Sequence, residues 1–462
     1  MLTSLLLSSF LLGSSSPSLA EAKGSGGSSP VIALVGGTIL DVSNQGRSSG
    51  DIQDGVVVLR GGTIVAAGPR KNVKIPAGAR RIDVSGKYIV PGLTDCFGAL
   101  GKQAHANAYL YMGVTSIVGV DGKPRRPDLY LKANPSPRIY PLGVVGYAEK
   151  DDAVVLSSEA EIPKEIETAA QRGIKVLLIH YPITPERTAQ IVKKAHELGL
   201  GTIGELGMTP YSEAILAGVD AFVHTIRYSI AIAPPELRLA MAKAPFSQQP
   251  NFDFNKLLMN LSPDDPALNQ HAKLLAASPV ALIPTLSLSY LDLPDHRNPW
   301  QEPAAKIIDP KDIFMPANPL TGQRDEDQGT PMGARFAQLA QGLLRVEESY
   351  RRAGARYLAG SGTTAFGTIP GVSLHTELEL LSRVGLPPRQ VLAAATSNFG
   401  ETFHWKNMGQ VKAGYNADLL VLNANPLQGI ENLKNIHSVI LNGEILDREK
   451  LLATSLKSAS LN

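Results

Sequence analysis

Short apolar runs recur through the middle of the chain, at residues 89–95, 115–120, 138–145, 175–181, 201–205, 221–224, 280–286 and 356–361, with helix-compatible stretches between most of them. Runs of this length read as buried strands, and their alternation with helical stretches predicts a parallel sheet. Eight strands are what a closed (β/α)8 TIM barrel needs, so the expected fold class is α/β. Residues 184–198 show the helical signal well: Ala189, Ile191, Val192 and Ala195 recur at roughly helical spacing, Pro185 stands near the start and Gly199 just past the end. Residues 229–335 are rich in proline and hold one strand-like run, so much of that stretch is expected to be an excursion from the barrel, of the kind that forms lids or walls.

A length of 462 residues, 44% hydrophobic and 19% charged, accommodates a large barrel and a smaller domain. The net charge of +2 is spread over scattered basic residues, and pairs such as Lys193-Lys194 and Arg351-Arg352 read as solvated helix faces. That excludes nucleic acid as an expected partner. The apolar run from Leu2 to Leu12, followed by small residues ending in Ser18-Leu19-Ala20, predicts a signal peptide over residues 1–20. The run is too short for a permanent membrane span, so the expectation is a soluble protein, secreted or periplasmic, with no membrane contact after cleavage. Residues 21–30 read as a flexible Gly/Ser linker. Cys96 is the only cysteine, which rules out an intramolecular disulfide and a lipid-modified cysteine at the cleavage site.

The segment Tyr88-Ile89-Val90-Pro91-Gly92-Leu93-Thr94-Asp95, leading into Cys96-Phe97-Gly98, resembles the first barrel strand of the amidohydrolase superfamily. That strand reads Pro-Gly-Leu-Ile-Asp-x-His-x-His, or the same with one residue fewer, and the likeness is nearest to the imidazolonepropionase and prolidase-like branch. Residues 31–41, 55–58 and 61–68 resemble the N-terminal strands of the family's small β-sandwich, residues 409–422 its returning C-terminal strands, and residues 385–396 its final helix pair. The resemblance implies a composite β-sandwich domain from residues 31–87 and 405–450, and a barrel over residues 88–404 with its insertion near 229–335.

It also implies a divalent metal pair at the C-terminal mouth of the barrel. The pair is held by the strand-one histidines, a carboxylated lysine on strand four, histidines on strands five and six and an aspartate on strand eight. The metals acidify a water and polarise the scissile carbonyl, and the aspartate moves the proton. Carried over residue by residue, the strand-one pair falls on Cys96 and Gly98, the lysine on Leu178 and the strand-five histidine on Glu205. His224 keeps the strand-six position, while Gly360-Ser361-Gly362 stands where Gly-Thr-Asp is usual. Only His224 remains of that set. Glycine and leucine offer no side-chain donor, so the family's binuclear centre is not expected to form.

His180 lies two residues after Leu178 and should share its face of the strand, nearer the mouth. His180, Glu205 and His224 then end three successive strands, a set suited to one zinc or iron ion with open positions for water. The alternative is that His180 packs against a loop, Glu205 is held by an arginine or a backbone donor, and His224 is a relic. Glu205 and Cys96 are the catalytic candidates. Cys96 would be a nucleophile with His180 or His224 as base, against the plainer reading of a small residue filling the barrel. Ser361, Thr363 and Thr364 read as turn residues, His375 as structural at a helix entry, and His196 and His437 as no ligands. Arg227 and Tyr228 are candidates to clamp a ligand carboxylate from the loop after His224.

Two functions follow. The first expectation is an exported, pseudoenzyme-like barrel that binds a small molecule or partner protein, with no cofactor. The alternative is a hydrolase of carbon–nitrogen bonds with one divalent metal. A homo-oligomer, or work beside an active paralogue, is compatible with either.

Overall fold

The strands Leu93–Cys96, Val114–Val120, Arg138–Val145, Val176–Ile179, Gly201–Gly204, Ala221–Val223, Ala281–Ile283 and Arg356–Tyr357 run parallel, each paired with the next. A parallel bridge between Cys96 and Gly360 joins the last strand to the first. The Cys96 N–H donates to the Ala359 carbonyl at 3.1 Å across the same seam. These features come from a computed structural model that describes residues 30–120, 131–150, 153–243, 248–324 and 329–458. The expected signal peptide and residues 21–29 of the expected linker lie outside the described residues.

The alternation of side chains along the strands sorts two layers. Cys96, Val118, Leu142, Val176, Leu178, Ile203, Ala221, Val223, Ala281, Ile283 and Leu358 point inward and form one apolar cluster with Phe399, Phe403 and Met408. Their neighbours in sequence, among them Ile117, Leu177, Ile179, Phe222 and Leu282, point outward into the larger core under the helices. The barrel is therefore a packed core rather than a pore. The helix Pro185–Glu197 shows how the outer layer is built. Thr184 caps it, Pro185 occupies its first turn, Thr188, Ile191, Val192 and Ala195 are its buried face, and Gly199 follows at φ 69°.

Two expectations change. The run at 89–95 is two strands: Tyr88–Pro91 pairs antiparallel with Leu419–Leu422 and parallel with Val31–Ile39, while Leu93–Cys96 opens the barrel. Gly92 lies between them, where a Cβ would sit 2.0 Å from the Thr115 hydroxyl, so the passage from one domain to the other has no room for a side chain. The proline-rich stretch is largely helical. Helices Pro235–Lys243, Gln248–Asn260 and Pro266–Ala277 precede the seventh strand, and Pro331–Ala353 precedes the eighth. Pro235, Pro266 and Pro331 each begin a helix, where the missing N–H costs nothing, rather than breaking one.

The small domain takes strands from both ends of the chain into one mixed eight-stranded sheet, with Ile436–Leu441 and Glu444–Ile445 at one end and Thr63–Pro69 at the other. Arg389, in the barrel helix Pro388–Ala394, holds Asp51 of the small domain through two nitrogens at 2.6 and 2.8 Å and donates to the Asp41 carbonyl at 2.7 Å. Among the described residues no helix is long and apolar enough to cross a membrane.

Candidate functional site

The C-terminal mouth gathers polar side chains above the apolar layer. His180 follows Ile179 and, because Val176 and Leu178 face inward, alternation sends its ring inward too. Glu205 repeats this after Ile203. His224 does not: Val223 faces inward, so a regular strand would turn the next side chain outward. A left-handed backbone at His224 (φ 64°, ψ 110°) overrides the alternation, and its ring comes to lie beside Phe97, with centroids 5.5 Å apart. Phe97 (φ 60°) and Thr285 (φ 52°) carry the same kind of strain just after barrel strands one and seven.

Glu205 is the hub. His180 Nε2 lies 3.4 Å from Oε2, while His224 Nε2 and Arg227 Nε approach Oε1 at 3.9 and 3.7 Å. The Tyr181 hydroxyl donates to Oε1, and the Arg227 guanidinium lies over the Tyr181 ring, 4.8 Å from its centroid. Each imidazole is anchored from behind. The Tyr147 hydroxyl meets His180 Nδ1 at 3.1 Å, which leaves Nε2 to donate toward Glu205 when Tyr147 supplies the hydrogen. Thr285 donates to the Pro284 carbonyl at 2.6 Å, so its oxygen accepts from His224 Nδ1 at 2.7 Å.

Burial pushes the Glu205 carboxyl up, but the His224 and His180 imidazoles and the Tyr181 hydroxyl outweigh it and hold the group down at about 2. Burial lowers His224, with Arg227 and His180 reinforcing the shift and the Glu205 carboxylate opposing it. Burial raises Tyr147 to about 12, with the Glu205 charge adding to it.

The other residues singled out from sequence fall elsewhere. Cys96 is fully buried in the interior layer, and burial, with Asp95 adding, holds its thiol far above the ordinary range, against the nucleophile role. Leu178 belongs to the same apolar layer. Ser361 gives its backbone N–H and hydroxyl to the two oxygens of Asp95, at 2.7 and 2.6 Å. Tyr228 is a correction to the clamp expectation. It is fully buried and its hydroxyl donates to Glu347, which takes the phenol out of reach of the mouth. His375 Nε2 bonds the Met112 carbonyl at 2.7 Å, and burial lowers it to about 4. His196 pairs with Asp220 at 3.0 Å, and His437 meets Ser438 at 2.8 Å. Tyr147, Tyr181, Thr285 and Phe97 belong to the site without having been marked in the sequence. Tyr181 follows His180 directly and would point away from it on a continuing strand, but the strand ends at Ile179.

The family's metal pair does not fit this arrangement, because Cys96 and Leu178, packed in the apolar layer, and Gly98 and Gly362, which have no side-chain donor, stand at its ligand positions. A single ion with bonds of about 2.0–2.1 Å needs ligand atoms roughly 3.3 Å apart. The His180–Glu205 spacing of 3.4 Å meets that, whereas the His224–Glu205 spacing is 3.9 Å and Arg227 already brings a positive charge to the same oxygen.

Two cavities flank these residues. One of about 230 Å³ at the mouth is lined by Phe97, Gly98, His224, Leu288, Thr363 and Phe366. The other, about 1050 Å³, lies between the loop after strand five and the helices that follow strand six, with Tyr181 and Arg227 in its wall.

The amidohydrolase family profile matches residues 327–446. A 5-methylthioadenosine/S-adenosylhomocysteine deaminase from Symbiobacterium thermophilum is 42% identical over 72 residues, 15% of this chain and 16% of that protein. An imidazolonepropionase from Bradyrhizobium diazoefficiens is 43% identical over 60 residues, 12% of this chain and 15% of its own length. The chain thus matches about a sixth of the length of these curated relatives. Among solved structures, a putative prolidase from Bifidobacterium longum superposes with a TM-score of 0.59 at 21% identity, over 93% of this chain and 100% of that one. A bottromycin amidohydrolase gives 0.67 at 19% identity, over 94% and 91%. Likeness at this identity shows the fold.

Proposed function

We propose that this chain, which belongs to the amidohydrolase superfamily, is a barrel that binds a small molecule at its mouth and has given up the family's two-metal hydrolysis. The observation that carries this reading is Glu205, whose charge is met by Tyr181, His180, His224 and Arg227 of the chain itself. A buried carboxylate satisfied in this way has no need of a metal to hold it ionised. Strain supports a working mouth rather than an inert one. Left-handed backbone at Phe97, His224 and Thr285 costs on the order of 1–3 kcal/mol each, and such residues cluster at ligand sites.

A second reading rests on the 3.4 Å approach of His180 to Glu205 and on the relatives being a deaminase and an imidazolonepropionase. It is a hydrolase of carbon–nitrogen bonds in which His180, Glu205 and His224 hold one zinc or iron ion. When bound, that ion would supply an acidified water. Thermal melts separate the two. The first reading expects added zinc or iron(II) to leave the melting temperature unchanged and dipeptide or lactam substrates to show no chelator-sensitive turnover. A rise of several degrees that His180→Ala abolishes would establish the second.

Export belongs to the proposal and is supported by the apolar run from Leu2 to Leu12 and the Ser18-Leu19-Ala20 end. N-terminal sequencing of the protein recovered from periplasm or medium should begin at Glu21. Recovery with Met1 intact would contradict it.

A further inference from the structure

The larger cavity is next to the Glu205 cluster but is not part of it. Its walls come from the loop after strand five, the helix Tyr211–Ala217 and the helices Pro235–Lys243 and Pro266–Ala277. The lining is mostly apolar, with Leu206, Ile230 and Met241 among its residues. Met208, Leu239 and Leu274 in the same lining are 40%, 54% and 37% exposed, so apolar surface continues outward from the chamber.

The charges facing this space are few. Glu213 and Arg238 are exposed, and one Arg238 nitrogen is committed to the Ala231 carbonyl at 3.0 Å. His271 bonds the Tyr228 carbonyl at 3.0 Å and is held neutral by burial, at about 4. Arg227 differs. It is largely buried, and its guanidinium is placed by the Tyr181 ring and by Glu205 at 3.7 Å, a distance beyond a hydrogen bond. Its planar fork of N–H donors suits a carboxylate, and no hydrogen bond within the described residues uses that fork.

We infer that this chamber takes an amphipathic monocarboxylate, with its apolar body between the strand-five loop and the two helices and its carboxylate on Arg227. The inference rests on the small-molecule reading above and names the ligand class. A chamber of about 1050 Å³ is large for a bare amino acid and fits a long acyl or bulky hydrophobic group. Tyr181 and His180 remain on Glu205 when the guanidinium turns to the ligand, so its carboxylate keeps partners.

The test is calorimetric titration of the full-length mature protein with sodium octanoate, decanoate and dodecanoate below their micellar concentrations, with 1-decanol as the uncharged control. One equivalent should bind, about fourfold tighter for each added methylene and at least tenfold tighter for decanoate than for decanol. Arg227→Met should erase the preference for decanoate and leave decanol binding unchanged. Arg227→Lys, which keeps the charge, should restore part of the preference and stands in should Arg227→Met fail to fold. Ala242→Trp, on the chamber wall, should weaken both probes while the melting temperature holds. Equal affinity for acid and alcohol, no response to Arg227→Met, or no binding of any chain length overturns the inference. Those results in a metal-free protein overturn the ligand class alone, whereas stoichiometric bound metal overturns the reading beneath it.

Discussion

Glu205 is where the chemistry and the stability of this barrel meet. Its carboxyl stands at about 2 in the folded protein against an ordinary 4.5, a depressed value, so its contribution is present above about 4.5 and lost as the pH falls toward 2. The shift corresponds to a contribution on the order of 3 kcal/mol at neutral pH. Glu205→Gln should therefore lower stability at pH 7 by up to that order and flatten the loss of stability between pH 4.5 and 2, measured by urea unfolding across the range. An unchanged acid profile would mean that the carboxylate is not held by its neighbours. Leu178, where the sequence resemblance puts the family's lysine, is core. Leu178→Ala should cost about 2–5 kcal/mol in the same assay, and a cost near zero would place it outside the packed interior. Strand alternation aimed His180 at the mouth from the sequence, and the resemblance put Glu205 at the neighbouring strand end. Alternation was not enough for His224, whose inward turn depends on a left-handed backbone that no periodicity reveals. Tyr228 misled for a related reason: adjacency to Arg227 suggested one shared role, but the short helix Thr225–Tyr228 sends the two side chains to different places.

At the scale of elements, the helices inserted before strand seven separate this mouth from a bare barrel. Helix Pro266–Ala277 begins with Asp265, whose carboxylate accepts from the Leu268 N–H at 3.0 Å, and its buried face includes Leu268, His271, Ala272 and Leu275. Asp265→Ala should cost about 1 kcal/mol of stability in chemical denaturation and leave Glu205 and its partners undisturbed. No loss would show that the cap is not formed. The eight apolar runs located every barrel strand to within a few residues, because a parallel strand is buried on both faces and its hydrophobicity is continuous. The inserted helices were harder to read. Their prolines look like breakers until each is seen at a helix start, a distinction that depends on one residue of register. The split at Gly92 was hidden for the opposite reason, since a single apolar run spans two strands of different domains.

Across the whole molecule, the two ends of the chain are sewn into one sheet that rests against the barrel, with Arg389 bridging to Asp51 and Asp41. The scaffold matches the fold of the solved amidohydrolases, and the proposed departure from their chemistry lies at the C-terminal mouth, where a barrel carries its chemistry. The central claim is that this mouth satisfies its own charges and holds no metal. The most direct test is elemental analysis of the purified mature protein, after incubation with zinc and with iron(II), beside His180→Ala and His224→Ala. The account predicts no stoichiometric metal in the native protein or in either variant. About one equivalent that disappears in both variants would contradict it and make His180, Glu205 and His224 a metal site.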